Sequence, residues 1–314
     1  MKNNKITAIA VSGLLLATFA LTAYAVSPII KEMNLFQRAA VNGESISEVD
    51  VAGDFRYTNL ETAEKDEEIS SSKKIAAESF TNQKTDIYNK MLNTIDYINK
   101  VSIVAKTNML GAEESELEFN VDIDSGVSYQ AVTEGKTLVS ETYSNIEAGM
   151  VSVNNAERSY TENYLPVYTR EDTPYIALSD RIETGEDGIP VYTYRRNITN
   201  CPLASYCLVP QEITFSYLKD FDMWKIADAS EEYLGRDCVV IMGKPSAYIE
   251  TKHGIDSFEM IVDKETGIML NFEGTQGEEL VRYMEVTDME FGTRSAVKLF
   301  DSNEYADYDV VKRP

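Results

Sequence analysis

The clearest pattern of apolar and polar positions lies between Gly235 and Phe291. Cys238 to Met242 is an apolar run closed by Gly243, and Tyr248 to Lys252 reads as a further short strand ended by His253-Gly254. Phe258, Met260 and Val262 lead into Asp263-Lys264-Glu265-Thr266-Gly267, after which Ile268, Leu270 and Phe272 resume the alternation. A short polar segment ending in Gly between two such runs predicts a hairpin loop. Gly274-Thr275-Gln276-Gly277 predicts the next turn, followed by Val281 to Val286 and Met289 to Phe291. Loops this short leave no room for crossover helices, so the strands form an antiparallel meander.

Upstream, Leu117, Phe119, Val121 and Ile123 alternate with Glu116, Glu118, Asn120 and Asp122, a strand solvated on one face. Val101 to Lys106 predicts a strand before it, and Val127, Tyr129 and Ala131 one after it. Asp122-x-Asp124-x-Gly126 is like the opening of a calcium loop, but its Gly comes too early and no Glu closes it, which leaves a hairpin turn. Two helices interrupt the strands. Ile87, Met91, Ile95 and Ile98, widened by Tyr88 and Leu92, form an apolar stripe over 85–99. Pro210 opens the second helix, Glu212 suits its positive end, and Ile213, Tyr217, Leu218 and Phe221 mark its buried face as far as Asp222. Trp224 is expected to pack that helix end onto the sheet. Between Arg158 and Arg181, Tyr160, Tyr164, Tyr168 and Tyr175 interleave with Pro166 and Pro174 without a period, which predicts an ordered surface loop. Glu183 to Gly188 reads as an acidic tip and Val191 to Arg196 as a strand.

The ends of the 314-residue chain change this picture. Lys2 and Lys5 precede an uncharged segment from Ile6 to Ile30, with Ala23-Tyr24-Ala25 as a small-x-small cleavage site, so residues 1–30 are either a cleaved export signal or an uncleaved anchor. Residues 31–80 are rich in Glu and Asp without apolar periodicity and predict a solvated linker, with a helical turn or two expected over Ser70 to Phe80. Residues 81–292 then form the folded domain, and 293–314 are a polar tail expected to fray. A net charge of −23 argues against nucleic acid and anionic membrane as partners. In an exported chain the three cysteines permit a disulfide; the spacing of Cys201 and Cys207 suits a small staple, with Cys238 a buried thiol in its strand. The lone His253 and the absence of a Cys-x-x-Cys pair give no metal site, and no cofactor motif stands in the chain.

Three phrases carry a family resemblance: Leu234-Gly235-Arg236-Asp237-Cys238-Val239-Val240-Ile241-Met242-Gly243, Val262-Asp263-Lys264-Glu265-Thr266-Gly267-Ile268-Met269-Leu270, and Glu285-Val286-Thr287-Asp288-Met289-Glu290-Phe291. They resemble the closing strands of the lipoprotein-localisation-carrier (LolA-like) superfamily, which includes the periplasmic sigma-E regulator (RseB-like). The resemblance implies an α+β fold, a half-open antiparallel β-barrel with amphipathic helices in its concave face. It further implies a cavity for a lipid-like or hydrophobic peptide ligand, lined by Ile87, Met91, Ile95, Tyr217 and Phe221, in an extracytoplasmic, non-enzymatic binding protein. The alternative it implies is an envelope-side sensor acting through an anti-sigma factor or another membrane partner. No sigma-binding domain stands ahead of Ile6, so the chain is not expected to be an anti-sigma factor itself. An enzyme is the weakest reading, since the sequence holds no nucleophile elbow, phosphate loop or zinc signature.

Overall fold

The computed structural model describes residues 82–110, 114–163, 167–185, 190–292 and 296–311. The export segment, the acidic linker and the helical turn at Ser70 to Phe80 lie outside them, as do Tyr164 and Pro166.

The alternating segments become β1 (Lys100–Thr107), β2 (Ser115–Asp122), β3 (Val127–Glu134), β4 (Thr137–Asn145), β5 (Gly149–Asn154) and β6 (Ser159–Asn163) in one meander. A second runs through β9 (Trp224–Tyr233), β10 (Arg236–Gly243), β11 (Ser257–Asp263), β12 (Met269–Gln276) and β13 (Glu279–Phe291), while β7 (Ile182–Thr184) and β8 (Pro190–Tyr192) pair as a small hairpin apart. The meanders join where β1 pairs antiparallel with β13, Val101 opposite Phe291 and Ile103 opposite Met289, with a bulge at Val104/Ala105. The result is a twelve-stranded, open, curved sheet in the order β14-β6-β5-β4-β3-β2-β1-β13-β12-β11-β10-β9. All its pairs are antiparallel except the last, where β14 (Asp309–Val310) runs parallel to β6.

The sheet buries different faces in its two halves. Directly opposed residues share a face. Val101, Ile103 and Ala105 of β1 face Val121, Phe119 and Leu117 of β2, all buried, while Glu116 and Glu118 point to solvent. One strand further on, that same face carries Ser128 and Gln130, and beyond them Thr142 and Ser144. The apolar row has moved to the opposite face, where Tyr129 lies opposite Tyr143 and Ala131 opposite Glu141. Val151, Val153 and Tyr160 extend it.

Each face has its own cover. On the first, α1 (helical over 82–92) continues into a 3-10 turn at Thr94–Asp96, and α2 (Gln211–Leu218) sets Tyr217 edge-on to Phe258 and Phe272 at 5.1 Å each. Both helices are shorter than the sequence predicts. Phe221 lies beyond the end of α2 and packs on Tyr88 and Trp224, whose indole Nε1 donates to Leu218 O at 2.9 Å. The second face is covered by the C-terminal segment. Phe300, Tyr305 and Tyr308 pack there against Tyr143, Tyr160 and one another, so residues 296–311 are a docked strap and not the fraying tail that polar composition predicts. Three aromatic rings outweigh the surrounding Asp and Asn residues.

Three more expectations are corrected. Tyr248 to Lys252 is not a strand but lies in α3 (Ala247–His253), capped by Ser246 at its start and by Gly254 at φ 70° at its end. A Ser cap and a left-handed Gly outweigh the apolar spacing. Of the strand predicted over Val191 to Arg196, only Val191 and Tyr192 lie in one, β8. Cys201 and Cys207 are not bridged: they flank the 3-10 turn Pro202–Tyr206, and both, like Cys238, are buried free thiols. Burial pushes the Cys201 and Cys207 thiols up to about 12, and the Cys201 thiol bonds to the carbonyl of Tyr129 at 3.7 Å.

Candidate functional site: the cleft at the end of helix α1

The hairpin loop after β11 is built by one carboxylate. Asp263, fully buried, accepts from the backbone and hydroxyl of Thr266 at 2.6 and 2.7 Å and from Arg236 Nε at 2.7 Å. Burial alone would raise its pKa, but these donors hold the carboxyl below its ordinary value. Arg236 also reaches Glu265 at 2.6 Å and stacks over Phe291 at 4.8 Å. The loop so fixed rests on α1. Lys90 Nζ donates to Lys264 O at 2.6 Å, and a Cβ on Gly267 would stand 2.6 Å from the Lys90 backbone.

The carboxyl end of α1 is buried and has no glycine cap, so its last carbonyls need donors from elsewhere. Three arginines between 167 and 199 supply them. Arg181, with no exposed surface, donates to Leu92 O at 2.9 Å, Asn93 Oδ1 at 2.6 Å, Thr193 O and Gln211 Oε1. Arg195 donates to Asn93 Oδ1 at 3.0 Å, Thr173 O at 2.6 Å and both oxygens of Asp96 at 2.5 and 2.8 Å. Arg170 bonds Ile95 O, Ile98 O and Asn99, and pairs with Asp124 at 3.4 Å. Burial, and then the neighbouring Arg195, lower Arg181 to about 10, so it keeps its charge at neutral pH. Cations at a helix carboxyl end complement its dipole.

Hairpin loop, helix end and the adjoining ends of β1 and β13 enclose a cleft of about 570 Å³ lined by Asp96, Tyr97, Asn99, Lys100, Asp124, Arg236, Glu265, Thr266, Phe291 and Gly292. Its charges are internally matched: Asp96 with Arg195, Asp124 with Arg170, Glu265 with Arg236. Lys100 pairs with Asp122 at 2.7 Å, whose carboxylate also accepts from Ser125, so the calcium-like stretch is built as a turn. Tyr97, 44% exposed, presents the open aromatic wall, with Lys90 Nζ 5.2 Å from its ring centre. Such a cleft offers hydrogen bonds and two rings to a polar segment. It holds no nucleophile paired with a base. Among the described residues, no three His, Cys, Asp or Glu side chains are grouped to hold a metal.

The residues predicted to line a ligand cavity lie elsewhere. Ile87, Met91, Ile95 and Tyr217 are 6%, 0%, 1% and 5% exposed, and Phe221 is half-buried. The structure brings Tyr88, a neighbour of this stripe, together with Phe221 and Phe215 in edge-on contact. His253 accepts or donates at Nδ1 with the Tyr217 hydroxyl at 2.6 Å, and burial, then Arg282 and Lys252, push its pKa down to about 4. Arg170 and Arg181 escaped the sequence reading because the stretch from Arg158 to Arg181 has no period, and Arg195 because it was read within a strand over Val191 to Arg196. The one available signal was a predicted helix with no glycine at its end.

Neither a known family model nor a curated protein matches the sequence. Among solved structures, the chain is similar to an uncharacterized conserved protein from Thermus thermophilus, at 8% identity over 74% of this chain and 99% of that one, with a TM-score of 0.34. It is also similar to MucB, at 14% identity over 68% of this chain and 61% of that one, TM-score 0.36. A DUF1329 family protein from Desulfovibrio piger matches at 10% identity over 67% of this chain and 93% of that one, TM-score 0.23. Likenesses at this level carry no weight for function.

Proposed function

We propose that this chain is an extracytoplasmic, non-enzymatic binding protein that acts by contact with a protein partner at the cleft beside Tyr97. One observation carries the choice over a hydrophobic ligand held in the half-barrel. Met91 and Ile95, the centre of the expected lining, are 0% and 1% exposed, so no water-sized space adjoins either side chain. An acyl chain would have to displace α1, breaking the bond from its Lys90 to Lys264 and those that Arg181, Arg195 and Arg170 make to the helix end and the turn after it. The cleft, by contrast, is open and lined by charged as well as apolar groups, with an exposed ring at its rim. The extracytoplasmic part of the reading rests on the uncharged segment from Ile6 to Ile30, behind Lys2 and Lys5, read as an export signal or anchor.

A photo-crosslinking residue placed at Tyr97, with a second at exposed Leu138 as control, tests this in the producing cell. The expected result is a discrete protein adduct from position 97 and none from 138. A lipid adduct, or an apolar molecule retained by the purified protein in native mass spectrometry, would return the function to the half-barrel.

A further inference from the structure

The C-terminal strap meets the sheet at a single buried carboxylate. Glu141, 3% exposed on an otherwise apolar row, accepts at Oε1 from the hydroxyls of Tyr129 (2.9 Å) and Tyr143 (2.8 Å) and at Oε2 from Asn155 Nδ2 (3.2 Å). Those donors belong to the sheet and its turns. The strap adds two more: Lys298 Nζ at 3.0 Å on Oε1 and the Tyr305 hydroxyl at 2.8 Å on Oε2. The Lys298 ammonium also stands 5.3 Å from the ring centres of both Tyr129 and Tyr143. A carboxylate and two tyrosine faces around one ammonium form a cation cage. Beyond it, Phe300 stacks on Tyr305, Tyr308 Oη donates to Asn155 Oδ1 at 3.0 Å, and Arg158 stacks on Tyr308 at 5.1 Å and pairs with Asp307. Main-chain bonds then run from Asp309 N to Arg158 O (2.9 Å) and Val311 N to Tyr160 O (2.8 Å), which adds β14 to the edge strand β6.

We propose that the outer face of β3–β6 is a peptide-docking groove that reads a lysine in the cage of Tyr129, Tyr143 and Glu141, and that residues 296–311 occupy it as the chain's own ligand. The occupant it fits is a segment with a lysine followed by aromatic residues on successive turns and a short strand at its end. Two features separate this from a simple cover for an apolar face. A cover gains nothing from a buried carboxylate, since apolar side chains of similar volume serve as well or better, whereas a buried charge selects its partner. The groove is also complete on its own side: Tyr129, Tyr143 and Asn155 keep three bonds on Glu141 when the strap leaves, so the site stays preorganised. Strand addition at β6 supplies affinity without sequence preference, and the cage supplies the preference.

The test keeps the whole chain. A protease recognition sequence inserted after Gly292 allows the strap to be cut while it is seated, and a labelled peptide of residues 296–314 is then added in excess. The expected result is exchange of the strap for the peptide in a protein that stays folded by circular dichroism, with binding read by fluorescence anisotropy. A Lys298→Ala peptide should bind at least tenfold more weakly, and Glu141→Gln in the cut protein should erase the difference between the two peptides. Unfolding upon cutting, a strap that never exchanges, or equal binding of both peptides to the unsubstituted groove would each overturn the proposal.

Discussion

Gly267 answers two demands at once. Its φ of 77° lies where only glycine is unstrained, and its missing side chain lets the hairpin loop touch the backbone of α1. Gly277, at φ 61°, shares the first demand but has open space around it. Gly267→Ala should therefore cost roughly 2 to 4 kcal/mol, strain plus overpacking, against roughly 1 to 2 kcal/mol for Gly277→Ala. Equal losses by urea denaturation would show that the loop does not bear on the helix. Glu141 gives the second test at this scale. Burial would raise it, yet Tyr305, Lys298, Tyr143 and Asn155 bring it from 4.5 down to about 2. A folded value below the unfolded one means that the stabilisation is complete above about pH 4.5 and lost as pH falls towards 2. Thermal melts across that window should fall more steeply for the natural protein than for Glu141→Gln. Parallel slopes would refute the assignment.

At the scale of elements, the parts that were legible in the sequence are those with a period. β2 and the β11–β12 hairpin follow from alternation alone, and the Asp263-to-Gly267 loop from its turn residues; their pairing is as expected. α3 was missed because seven residues are too few for a helical period to stand out against a strand-like spacing, although Ser246 and Gly254 mark its ends. The strap was misread because composition averages over residues, whereas Phe300, Tyr305 and Tyr308 act singly. The arginine clamp was beyond reach, since Arg181 meets Leu92 from 89 residues away. Removing that clamp leaves buried acceptors short of donors. Arg181→Met should destabilise by roughly 2 to 4 kcal/mol and loosen the 167–199 stretch, which limited proteolysis would reveal. A variant as stable and as resistant as the natural protein would mean that the arginine only fills space.

For the whole molecule, the governing feature is a sheet that turns its apolar side inward under α1 and α2 and outward under the strap. The sequence shows the first half of this, because Phe119 and its row alternate with glutamates. It hides the second, because Tyr129 and Tyr143 read equally well on either face and Glu141 reads as solvent-exposed. The candidate site was less legible than the fold: the stripe from Ile87 to Ile95 is core, and the cleft at Tyr97 arises only where helix end, hairpin and strand ends converge. On this packing α1 is a permanent part of the core. Native-state hydrogen exchange measures it most directly, through the amides of Met91 and Leu92 set against those of Ile103 and Phe119 in β1 and β2. Helix and strands should show the same opening free energy, because the helix leaves only in global unfolding. Exchange in α1 a hundredfold faster than in the strands would contradict it, since the helix would then open by itself and free the concave face for a ligand.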